Sequence, residues 1–104
     1  MADYWKDNGI AKPPEVIVCA ANIYGDLILT GARHWDKVMR KQAGSIPDFI
    51  DLRKEFGEVQ GFINQFGEFR TRKEAMKIVI DNGQAFNKER NGGDIDELYS
   101  EGLY

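Results

Sequence analysis

The chain has 104 residues, with 14 basic and 17 acidic side chains and a net charge of -3, a length for one domain and not two. An apolar fraction of 42% and an aromatic fraction of 12% exclude a disordered chain. So small a net charge leaves no general field for coating a nucleic-acid duplex, and the longest apolar runs, residues 16–21 and 27–29, fall far short of the ~20 residues that span a bilayer.

Residues 1–14 are polar, lack an apolar signal-like core and end in Lys12-Pro13-Pro14, which predicts a flexible or extended lead. Residues 15–22 read as a strand. Its apolar run on both faces predicts a central position covered on both sides. Residues 23–26 read as a turn and 27–30 as a second strand, together an antiparallel hairpin. A helix follows Gly31-Ala32-Arg33-His34, with Trp35, Val38, Met39 and Ala43 on one face and Gly44 as its stop. Ser45 could cap another helix, with Pro47 in its first turn and Phe49, Leu52 and Phe56 along one face.

Residues 59–64 return to strand character and turn through Asn64-Gln65-Phe66-Gly67 into a strand at 68–70. Thr71-Arg72-Lys73-Glu74 is a capping box that opens a helix over 72–82. Residues 84–87 could form a short strand, 88–94 a polar loop and 94–97 one helical turn. Leu98, Tyr99, Leu103 and Tyr104 make the tail too apolar to fray, so it is expected to dock on the body or on a second chain. The reading is one α+β domain over residues 1–104, an antiparallel sheet with two or three helices.

Little points to catalysis or metal chemistry. The single Cys19 excludes a disulfide framework and fits a reducing compartment. Within an apolar strand its thiol reads as inert packing. His34 is the only histidine. His34-x-Asp36 could be a charge-oriented base, but one histidine without soft ligands does not make a zinc site. No Gly-x-Ser-x-Gly elbow, phosphate-binding P-loop or Gly-x-Gly-x-x-Gly fingerprint is present. We therefore expect no catalytic residue, metal or cofactor.

The cations say more. Arg70, Arg72 and Lys73 gather at a helix start, where free amides and guanidinium groups could seat a phosphate. They could equally be solvated first-turn residues. Phe62, Phe66 and Phe69 lie just upstream, able to stack on a base or to fill a core. Gln60, Asn64, Gln65, Gln84 and Asn87 could read a base edge or sit idle on the surface.

Three blocks in order add to this: Val18-Cys19-Ala20-Ala21 with Gly31-Ala32-Arg33-His34; Gln60-Gly61-Phe62-Ile63-Asn64-Gln65-Phe66-Gly67-Glu68-Phe69 with Thr71-Arg72-Lys73-Glu74-Ala75; and Leu98-Tyr99-Ser100-Glu101-Gly102-Leu103-Tyr104. Together they resemble the phage anti-Thoeris sponge proteins of the first described type, which sequester a cyclic ADP-ribose isomer made by bacterial TIR enzymes. The blocks span residues 16–104, with most of 40–58 standing apart as a variable helical insert. The resemblance implies a phage immune-evasion protein in the cytoplasm of the infected bacterial host. It would bind glycocyclic ADP-ribose or a cyclic oligonucleotide without degrading it, as a homodimer or a hexamer of three dimers, with ligand at subunit contacts. It would need no duplex nucleic acid and no membrane. The residues it points to are Arg33, His34, Phe62, Asn64, Arg72 and Arg90. The alternatives are an enzyme that degrades such a nucleotide, with His34 as base and Asp36 or Glu68 as its partner, and a structural or regulatory dimer with no small ligand.

Overall fold

The computed structural model describes Gly9 and residues 13–104. Of the lead expected over 1–14, residues 1–8 and 10–12 lie outside the described residues, and Pro13 and Pro14 take no regular structure. Four strands, β1 (Ile17–Tyr24), β2 (Leu27–Gly31), β3 (Val59–Asn64) and β4 (Phe69–Thr71), form one antiparallel sheet in the order β2-β1-β3-β4. Among the described residues four helices accompany it: α1 (Lys37–Gly44), α2 (Phe49–Phe56), α3 (Arg72–Asp81) and the single-turn α4 (Ser100–Leu103). The α+β architecture is therefore as read from the sequence. The expected insert over 40–58 is the second half of α1 with α2.

β1 runs two residues further than expected, because Tyr24 pairs with Leu27 and leaves only Gly25-Asp26 to turn. Gly25 holds φ +62°, a left-handed geometry that a tight hairpin needs and that glycine adopts without strain. A bulge lies between Ile17 and Cys19 in the β1–β3 register, so Val18 falls out of the ladder. Across the bulge Ile17 and Ala20 reach the same face and share a core with Phe62, Ala75, Met76, Val79 and Leu98. A second core on that face joins Tyr24 and Leu29 to Met39 and Ala43 of α1.

The opposite face carries Ile23, directly paired with Ile28 and Val59. No described helix packs there: Ile28 is 40% exposed and Val59 is 50% exposed. β1 is central, as expected, and the described helices pack on one side of it. On the other side Ala21 is fully buried while Ile28 and Val59 stay half-exposed, so the apolar run reflects a bulged strand whose second face is covered in part.

Helix boundaries also move. Trp35 stands before α1 at φ +54°, outside the helix that its apolar spacing suggested, because Asp36 is the cap. Ser45 closes α1 instead of opening α2, which starts after Asp48. Residues 84–87 form no strand. Gln84 instead uses its side-chain amide on Ile17, accepting from its N–H at 2.8 Å and donating to its carbonyl at 2.7 Å. A side chain thus supplies the pairing expected of a backbone. Residues 94–97 form no helical turn, for the Asp94 carboxylate holds the N–H groups of Asp96 and Glu97 in bends.

Candidate functional site

The loop that leaves β2 is shaped by one carboxylate. Asp36 accepts from Met39 N–H at 2.9 Å, capping α1, and from Arg33 N–H at 3.2 Å. A Cβ on Gly31 would overlap that carboxylate, so glycine is required at the strand end. The hydrogen bond from Met39, with lesser ones from Arg33 and its neighbours, holds the Asp36 carboxyl below the usual carboxylate range. The loop is thereby fixed and the Arg33 side chain is left exposed.

A second loop is built around Asn91, which is 2% exposed. Its amide donates to the carbonyls of Asp94 and Glu97, and its oxygen accepts from Tyr99 N–H at 2.7 Å. Gly102 lies against the same side chain, where a Cβ would not fit. Asn87 accepts from Arg90 N–H at 2.9 Å and holds the start of the loop.

These two loops bring Arg33 and Arg90 to one atom. Arg33 donates to the main-chain oxygen of Tyr104 through Nε at 3.0 Å and through a terminal nitrogen at 2.6 Å. Arg90 donates to the same oxygen. The Tyr104 hydroxyl in turn donates to the carbonyl of Val18, the residue that the bulge left outside the ladder. Among the described residues neither arginine is ion-paired with an Asp or Glu side chain. Two exposed guanidinium groups thus converge on one oxygen.

His34, next along, faces inward. Its Nε2 is 2.7 Å from the Gly61 carbonyl, which can only accept, so Nε2 carries the proton. Its Nδ1 lies 3.2 Å from the Ser100 hydroxyl, whose oxygen also accepts from His34 N–H. Burial pushes the imidazole below its ordinary pKa of 6.5, against the pull of the Gly61 carbonyl. The neutral ring thus ties the β2 exit to β3 and to α4, and both nitrogens are engaged. Its expected catalytic partners lie elsewhere: Asp36 caps α1, and Glu68 accepts from Asn64 at 3.0 Å.

Phe62 is fully buried, its ring 5.2 Å from that of His34 at 79°, edge to face. It has no free face for a base, and the stacking role expected for it is corrected to a core role. Its backbone sits in a central strand whose side chain points under α3. Asn64 is likewise corrected. Its oxygen accepts from Phe66 and Glu68 N–H, and its amide donates to Glu15 and Glu68, so the residue builds the β3–β4 turn.

The phosphate seat expected at the start of α3 does not assemble. Arg70 turns to Glu15 at 2.7 Å. Thr71 and Glu74 satisfy each other as the capping box they spelled. Arg72 reaches across to Gln60 at 2.6 Å and lies over the Tyr99 ring at 5.1 Å, with its buried Nε unpartnered. Gln60 donates onward to Glu58, which also accepts from Tyr24 at 2.5 Å and Trp35 at 3.2 Å and pairs with Arg53 at 3.1 Å. Burial works against the Glu58 carboxylate, but these donors prevail and lower its pKa. The Tyr24 hydroxyl is pushed up to about 12, by burial first and then by Glu58. This polar chain runs between the two cores and was not anticipated, since its members are far apart in sequence. The other amides expected to read bases are occupied too, Gln65 by Val16 N–H and the Pro14 carbonyl.

Burial raises the Cys19 thiol above its ordinary value, in keeping with an unreactive packing role. Among the described residues no group of three or more His, Cys, Asp or Glu side chains could hold a metal ion, and no helix is long and apolar enough to cross a membrane. Of the six residues singled out in the sequence, the structure brings Arg33 and Arg90 to one atom and His34 and Phe62 to one contact. Arg72 stands apart in the polar chain and Asn64 in the turn. Sequence reasoning missed Tyr104 as the point of convergence, although its apolar tail was the signal that it docks. Residues 16–104 match the model of a family described as Phage T4 y16D protein. No curated protein and no solved structure matches the chain.

Proposed function

The chain belongs to the phage T4 y16D protein family, and on that footing we propose that this phage protein binds and holds an anionic nucleotide signal without degrading it. One observation carries the reading: Arg33 and Arg90 converge on a single oxygen of Tyr104. A phosphoryl oxygen meets the same need for charge-assisted donors, and the Tyr104 oxygen stands in its place. The resemblance to anti-Thoeris sponges supplies the ligand class, glycocyclic ADP-ribose or a cyclic oligonucleotide, and the host cytoplasm as the place of encounter. Retention over turnover is supported by His34, whose two ring nitrogens are both engaged and whose expected partners are committed elsewhere. Self-association is part of the proposal, supported by the half-exposed Ile28 and Val59 on the sheet face away from the described helices.

The test is incubation with glycocyclic ADP-ribose and with cyclic di- and trinucleotides, followed by melting and by heat release of the ligand. A raised melting temperature with intact ligand recovered is the expected result, since a ligand that binds only the folded chain stabilises it by mass action. No shift with any of these nucleotides overturns binding, and recovery of cleaved products overturns retention.

A further inference from the structure

A groove of ≈ 580 Å³ lies at the corner between α1 and α2 and shares no lining residue with the Arg33–Arg90 cluster. Its apolar lining is Ala43, Ile46, Phe49 and Ile50, and two carboxylates, Asp48 and Asp51, border it. Asp48 occupies the position that caps α2, where an aspartate ordinarily accepts from the first-turn amides. Here it holds φ +58° and its side chain makes no cap bond. Asp48 is one of the residues that line the groove. Among the described residues neither Asp48 nor Asp51 has an ion-pair partner. Arg53, the nearest arginine in sequence, is turned away onto the Trp35 ring and Glu58. Ile50 is 69% exposed and α2 has no fully buried residue.

We propose that this groove docks a basic, apolar segment of a partner protein, with a lysine or arginine placed between Asp48 and Asp51 and a bulky aliphatic side chain on Ile46 and Ile50. Charge complementarity selects the occupant. Two unpaired carboxylates beside an apolar floor repel an anion and give a plain hydrophobic side chain nothing at the rim, whereas an aliphatic cation satisfies both. The openness at Ile50 favours a chain segment over a small molecule, which its site ordinarily encloses on most sides. This docking does not depend on the nucleotide reading, because it uses neither Arg33 nor Arg90.

The experiment uses the full chain and two blocked ten-residue peptides, one alternating leucine with lysine and one alternating leucine with glutamate. Backbone amide shifts map the contact and calorimetry gives the affinity. The lysine peptide is expected to move amides of residues 43–51 and to bind at least tenfold more tightly than the glutamate peptide. Asp48→Asn with Asp51→Asn should weaken it about tenfold, since asparagine tolerates the left-handed backbone at 48 and keeps the fold. Glu89→Gln with Asp96→Asn removes two carboxylates elsewhere and should leave affinity unchanged. Equal weakening by the remote pair, shifts confined to other surfaces, or equal binding of the glutamate peptide overturns the proposal. So do shifts at 43–51 that grow with protein concentration alone, which would assign the groove to a second copy.

Discussion

The rings of His34 and Phe62 meet edge to face at 5.2 Å, inside the fold. Two residues that the family resemblance pointed to as ligand-binding are thus each other's packing partners, while Arg33, one position before His34, stays exposed. The contact also fixes the inward side of the loop whose outward side carries the arginine. Mutations here therefore separate a role in the core from a role in binding.

Phe62→Ala should remove about 3–5 kcal/mol of stability, the usual loss for emptying a buried phenylalanine site. Since a domain of this size has roughly 5–15 kcal/mol in all, Phe62→Leu is the informative companion. It leaves a smaller cavity than alanine, so it should melt between the wild type and Phe62→Ala and bind nucleotide with unchanged affinity in calorimetry. A folded Phe62→Leu that loses binding would return the ring to the site.

His34 should make the fold sensitive to mild acid. Its folded-state pKa lies below the ordinary 6.5 because burial disfavours the imidazolium. The unfolded chain therefore binds more protons as pH falls past 6.5, and stability drops until the lowered folded-state value is passed. Melting measured from pH 8 to 5 should show this fall, and His34→Gln should flatten it. A wild-type melting temperature that stays level or rises through that range contradicts the assignment.

Arg33→Ala and Arg90→Ala should each cost about 1.5–3 kcal/mol of nucleotide affinity, the range for a lost charge-assisted hydrogen bond. Both side chains are exposed, and losing the hydrogen bonds to Tyr104 should lower stability by only about 0.5–1.5 kcal/mol. Calorimetric titration of the two variants, each checked for a near-wild-type melt, decides. Wild-type affinity in both would remove the proposed anion seat at these arginines.

The Tyr104 oxygen occupies that seat, so ending the chain at Leu103 should raise affinity for a cyclic dinucleotide by freeing two guanidinium groups. Tyr104→Phe should behave differently. It removes only the hydroxyl donated to Val18, costs about 0.5–1.5 kcal/mol of stability and leaves the arginines held. A shortened chain that binds more weakly would show that Tyr104 contributes to the site and does not fill it.

Local chemistry was legible in the sequence. The capping box at Thr71 and Glu74 is present as spelled, β3 spans the residues its pattern marked, and the apolar tail docks, with Leu98 fully buried. Each of these depends on residues close together in the chain or on the burial preference of a single side chain, and such preferences are set before folding. The two arginines were also legible, but only as cations without an address. What the tertiary structure decided is which groups meet: Arg33 with Arg90 at Tyr104, Gln84 with the backbone of Ile17, Arg72 with Gln60 and Tyr99. It also decided that Phe62 is core, because the bulge at Val18 and the register of β1 against β3 set which face of the sheet each side chain takes. A strand alternates faces with period two, so one extra residue inverts everything beyond it. No local pattern in residues 16–19 announces that extra residue, and the sheet alone placed it.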